Sequence, residues 1–224
     1  MAPLVVTTRD KKGTKFVSII EAAYNKAGLS EEEAQRVNDA PGLPEVVHGF
    51  IDANRMDCIW REQNGVIYFS VTSDGTTGEG WITRLESKGF RIGDYAKQIL
   101  HSSAFMPTNG VTSKVAVLKG MLFEDNDRIT KKIRADADKR KLLKLNAEIA
   151  CLIREKFTDE DIEAMGLWWI VAMHEPINDS GGDPGLLSAS RDGDGRWLDA
   201  CSARPDGRWG RESGFAFVVS QVSP

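Results

Sequence analysis

The sequence predicts an α+β fold: a small N-terminal helical module followed by a mixed α/β core that ends in an antiparallel meander. Three observations lead there. Residues 16–54 carry only helical periodicity, residues 57–173 mix strand-like and helical segments without regular alternation, and the remainder is short apolar pieces punctuated by Gly, Asp and Pro. The expected division is a helical module at 1–56 and an α+β domain at 57–224, with no low-complexity linker between them.

In the module, Phe16, Ile19, Ile20, Ala23 and Ala27 recur at helical spacing, and Gly28 supplies a left-handed stop. Ser30 with Glu33 three residues on forms a capping box for a second helix, which Pro41-Gly42 ends. Pro44 suits the first turn of a third, carrying Val46, Val47, Phe50 and Ile51. Two helices joined through Gly28 have the outline of a DNA-reading pair. However, Glu31, Glu32 and Glu33 sit at the end that would approach phosphate, which favours packing instead.

In the core, the β-branched and aromatic residues from Val66 to Val71 predict a strand, Gly80 to Ser87 and Gly93 to Ser102 predict helices, and Val115 to Leu118 a short strand. Helices follow over about 127–140 and 145–157. Thr158 with Asp161 caps a further short helix that stops at Gly166. Leu167 to Met173 is continuously apolar, as in a strand covered on both faces. Leu186–Ala189, Trp197–Ala200 and Phe215–Val219 read as meander strands.

A chain of 224 residues with 41% apolar and 28% charged residues buries a sizeable core without a disulfide or metal staple. No apolar run approaches the roughly 20 residues of a membrane span, so no membrane partner is expected. The opening MAPLVVTTRDKK reverses the charge order of a secretory signal, and the expected compartment is the cytoplasm. Cys58, Cys151 and Cys201 form no C-x-x-C pair, which leaves neither a disulfide framework nor a cysteine zinc site to predict, and no cofactor is expected.

Charge is unevenly placed. Between Arg128 and Lys144 lie eight basic and two acidic residues, a local balance of +6 in a chain whose net charge is -4. On a helix, Arg128, Lys132 and Lys139 share one face with Lys131 beside them, while Ile129, Ile133 and Ala137 form a separate apolar stripe. This is the pattern of a solvated surface helix and equally of a footprint for a protein partner or a nucleic acid. No aromatic residue interleaves with the charges to stack on bases.

Two further segments carry residues suited to chemistry. The loop Asp74, Gly75, Thr76, Thr77, Gly78, Glu79 stands between a strand and a helix, where amides and a helix N-terminus can hold a phosphate through Asp74, Thr76, Thr77 and Gly78. It lacks the P-loop lysine, and a turn followed by a Thr76–Glu79 capping box explains it as well. His174 and Glu175 emerge after the apolar run as a candidate acid/base and its orienter, although H-E-P is no zinc motif and His48 and His101 are distant in sequence. Asn178, Asp179, Asp183, Asp192 and Asp194 superficially suggest a hard-cation site but lack the spacing of a calcium loop; the turn dipeptides Asp194-Gly195 and Asp206-Gly207, followed by Arg196-Trp197 and Arg208-Trp209, read more economically as a twofold hairpin pattern, so no metal site is predicted.

The segments TSDGTTGE-W and GLWWIVAMHEPI resemble those of a family of uncharacterised bacterial proteins, and the resemblance extends over about residues 70–220. It implies a bacterial, cytoplasmic protein and assigns no reaction. With no nucleophile, base and orienter in a recognised arrangement, the expected function is a non-catalytic binding protein. It would use the basic helix and the Trp-containing tail to hold an unknown protein partner. The alternatives are a small hydrolase or phosphate-handling enzyme, with His174 and Glu175 near the 74–79 loop, and a nucleic-acid-binding protein.

Overall fold

The computed structural model describes Ser18 and residues 21–39, 59–192 and 195–220. The chain divides into two compact units, residues 1–58 and 59–224. In the first, residues 21–26 are helical and Gly28 stands at φ +60°. Helix α1 (Glu31–Asn38) opens on the expected capping box: Ser30 Oγ accepts from Glu33 N at 3.3 Å, and Glu33 Oε2 accepts from Ser30 N at 2.9 Å. The helix expected from Pro44 lies outside the described residues.

The second unit is built on one ten-stranded sheet. Its first half runs β1 (Arg61–Gln63), β2 (Val66–Asp74), α2 (Gly78–Ser87), β3 (Arg91–Ile92), α3 (Asp94–His101), β4 (Asn109–Lys119). Its second half runs α4 (Thr130–Lys139), β5 (Leu142–Leu143), α5 (Glu148–Lys156), α6 (Asp159–Ala164), β6 (Trp169–Ala172), β7 (Ile177–Asn178), β8 (Pro184–Asp192), β9 (Gly195–Ser202), β10 (Ser213–Val219). Across the sheet the order is β1-β2-β4-β10-β6-β8-β9-β3, with β5 also on β10 and β7 also on β8. Strands and helices in this order make the α+β class.

Period-two alternation sorts the strand residues to two faces. Ile67, Phe69, Val71, Val115, Val117, Ile170, Leu187 and Leu198 join Trp81, Leu85, Ile99, Ile153 and Ile162 from α2, α3, α5 and α6 in the larger core. Ala116, Leu118, Val171, Met173, Phe215 and Phe217 face the other way, against Ile133 and Ala137 of α4. Helix α5 is buried from Glu148 through Arg154, which is why its sequence is apolar nearly all round.

The meander is corrected in one strand. β8 and β9 form the expected antiparallel hairpin, but β10 leaves it and inserts between β4, to which it is antiparallel, and β6, to which it is parallel. The reason is composition: Ser213 to Phe217 are buried without interruption, so this segment belongs at the centre of a sheet covered on both sides. Its small residues also fit a crowded place, since a Cβ on Gly214 would come within 2.7 Å of Val117 and 2.8 Å of Leu167.

Charged side chains of α5, Glu148 and Arg154, are buried at the larger core. Arg154 is wholly buried, donates to the carbonyls of Ser190 and Phe157 at 2.7 Å each, and pairs with Asp159 at 3.1 Å. It joins β8 to the α5–α6 junction, and burial pulls its pKa below the ordinary arginine value.

Candidate functional site

The 74–79 loop hydrogen-bonds to itself. Asp74 Oδ1 accepts from Thr76 N at 3.2 Å and Thr76 Oγ1 at 2.5 Å, and its Oδ2 accepts from Arg84 at 2.5 Å. The Thr76 hydroxyl and the Arg84 guanidinium hold this carboxyl down at about 2. Arg84 also clamps Glu155 of α5 at 2.6 and 2.5 Å, so the loop is the end of a charged ladder on the larger-core side. The cap of α2 is Thr77, whose Oγ1 accepts from Gly80 N at 3.2 Å, one residue beyond the expected Thr76–Glu79 box. Gly78 is required by packing: a Cβ there would stand 1.8 Å from the Leu100 carbonyl oxygen of α3. Thus the carboxylate of the loop itself, rather than an incoming anion, takes the bonds of Thr76. Thr77→Ala is expected to lower stability by about 1 kcal/mol in chemical denaturation, as loss of a helix cap does. An unchanged midpoint would show that the cap contributes nothing.

His174 follows β6 and is 2% exposed. Its Nε2 accepts from Leu187 N of β8 at 2.9 Å, so Nδ1 carries the proton and donates to the Glu175 carbonyl oxygen at 2.5 Å. Burial, with Arg134 nearby, lowers its pKa to about 4 and keeps the ring neutral. Both ring nitrogens are thus engaged by main chain. The carboxylate of Glu175 does not orient the ring: it pairs with Lys144, which holds its pKa below the usual carboxylate value. His174 and Glu175 line a cleft of about 380 Å³ with Met106, Lys144 and Asn146, and none of Asp74, Thr76, Thr77 or Gly78 belongs to that lining.

The basic stretch presents less charge than its sequence total. Arg128 precedes α4, is buried, and spends its guanidinium on the Gly120 and Phe123 carbonyls at 3.0 Å and on Asp125 at 2.8 Å. It therefore drops out of the expected contact face. Arg134 donates to the Met173 and His174 carbonyls at 3.2 and 2.8 Å, Lys132 pairs with Asp127 at 2.5 Å, and Arg140 pairs with Asp136 at 2.7 Å. Lys131 and Lys139 remain exposed on α4.

The tryptophans also rearrange the expectation. Trp209 packs inward, donating from Nε1 to Thr130 Oγ1 at 3.0 Å and meeting Phe215 edge-to-face at 5.6 Å. Trp168 and Trp169, expected inside the apolar strand, are instead 45% and 36% exposed where β6 begins. Trp169 Nε1 donates to Ser213 Oγ at 2.7 Å. Arg191 lies 4.5 Å over the Trp168 ring, fixed by the Leu167 carbonyl at 2.9 Å and by Glu163 at 3.2 Å.

A second cleft, of about 340 Å³, has no signal in the sequence. It lies where α3, the turn after β7, and strands β8 and β9 meet, and it is lined by residues including Tyr95, Ile99, Asp183, Gly185, Cys201 and Arg204. Among the described residues, no group of three or more His, Cys, Asp or Glu side chains is placed to hold a metal ion, and no helix is long and apolar enough to cross a membrane. Compared with protein-family models, curated proteins and solved structures, the chain matches none.

Proposed function

We propose that this chain is a non-catalytic interaction protein of the cytoplasm, related to the bacterial family its sequence resembles, and that it holds a protein partner. The observation that carries this reading is the pair Trp168 and Trp169, partly exposed yet fixed by Arg191 and Ser213. Trp and Arg are the residue types that dominate binding energy at protein interfaces, and a side chain already held in place loses little rotamer freedom on binding. Lys131 and Lys139, exposed on α4, are the second contact in this reading. The state of His174 supports the same reading, because an imidazole with both nitrogens bonded to main chain offers no site for proton transfer.

The test is quantitative capture of a protein from cell lysate, followed by titration of the purified partner. Trp168→Ala is expected to weaken that binding at least tenfold, a hot-spot loss of about 1.4 kcal/mol or more. Lys131→Glu with Lys139→Glu is expected to reduce it further at low salt, with the denaturation midpoint nearly unchanged in both variants. Binding that is indifferent to all three substitutions would refute these surfaces.

A further inference from the structure

We infer that the cleft between α3 and the β8–β9 hairpin is a binding site for a small organic amine with an apolar body. Its floor is apolar, formed by Ile99, Pro184, Gly185 and Ala200, and the exposed ring of Tyr95 stands as one wall. Its rim is a rigid turn. Asp179 Oδ1 accepts from Gly181 N at 2.8 Å and Asp183 N at 2.9 Å, and Gln98 Oε1 of α3 accepts from Ser180 N at 2.9 Å. Asp179 and Asp183 therefore keep fixed positions beside the opening.

Size and charge select the ligand. A volume of about 340 Å³ is at the low end for small-molecule sites, which fits a body of roughly ten heavy atoms. Two rim carboxylates face one rim cation, Arg204, whose pairing with Asp183 at 3.2 Å is exposed on both sides and hence weak. The surplus charge is negative. An ammonium group brought to Asp179 and Asp183 finds a complementary field, and its apolar body covers the floor and stacks on Tyr95. A carboxylate of the same shape meets repulsion from two groups and attraction from one.

Tyr95 lines this cleft with its ring exposed and provides the readout. Nitration of the ring by tetranitromethane at mildly alkaline pH is followed by peptide mapping, which separates Tyr95 from Tyr24 and Tyr68. At about 10 mM 2-phenylethylamine, a decade above the ~1 mM dissociation constant that a ligand this small supports, nitration of Tyr95 is expected to slow about tenfold. Its neutral analogue 2-phenylethanol and its acidic analogue 3-phenylpropanoate are expected to protect far less. Asp179→Asn with Asp183→Asn retains an amide oxygen for the turn's hydrogen bonds while removing both charges, and is expected to abolish protection by the amine. Absence of protection by the amine, equal protection by the alcohol, or protection that survives the double substitution would each overturn the inference.

Discussion

Gly78→Ala is expected to destabilise the 59–224 unit by about 3 kcal/mol or more, which places it among the most damaging single-methyl additions available to this unit. The added carbon would stand 1.8 Å from a main-chain oxygen, Leu100 O, which cannot rotate away as a flexible side chain does. α2 and α3 must separate, and with them Trp81, Leu85, Ile99 and Leu100 lose contact in the larger core. Alanine's helix propensity returns at most about 1 kcal/mol, so the steric effect wins. The measurement is the urea midpoint of the variant against wild type. A midpoint equal to or above wild type would show that the close approach of the two helices is not a feature of the folded protein.

His174 is expected to make stability fall with acid in a defined window. Its pKa of about 4 in the folded chain lies below the ordinary histidine value near 6.5. Between those values the unfolded chain binds a proton that the folded chain does not, so stability rises with pH. The contribution is complete above about 6.5 and is lost progressively as pH falls to about 4. Its full size is roughly 3 kcal/mol, on the order of 10 °C in the midpoint for a chain of this length. Physically, a proton on Nε2 would point at the Leu187 N–H and leave two donors facing each other. Glu175 and Arg134 face the same ring, and Lys144 holds Glu175 ionised through most of the window. Denaturation of wild type and His174→Gln across this range separates the histidine term from the carboxylates. The variant is expected to be less stable at neutral pH and flatter between pH 6.5 and 4. Equal slopes would show that His174 protonates freely in the folded state.

What could be read from the sequence was what is local. The Ser30–Glu33 and Thr158–Asp161 capping boxes and the Gly28 and Gly166 stops, at φ +60° and +73°, are decided within four residues and are present as expected. The cap of α2 is Thr77 and not Thr76 because two adjacent threonines compete and the hydroxyl of Thr76 is taken by Asp74. Helical periodicity groups Arg128 with Lys132 and Lys139. That periodicity does not apply to it, since α4 begins only at Thr130. Trp168 and Trp169 read as core in the sequence because their neighbours are apolar. Exposure at a strand's first residues depends on what covers that end of the sheet, and no neighbouring residue encodes it. The amine cleft is assembled from three segments far apart in the chain, around residues 95–99, 179–185 and 200–204, and no sequence spacing links one to another.

The position of β10 bears on how this molecule comes to be folded. Segment 213–219 is the last strand in chain order among the described residues, yet it is the partition between β4 on one side and β6 on the other. Until it arrives, β1, β2 and β4 form one patch and β6, β8 and β9 another, with no direct pairing between them. Without β10 each patch has an open central edge, and such edges invite pairing with foreign strands. The sheet is therefore completed at its middle through contacts distant in sequence, which is the pattern of a slow-folding topology.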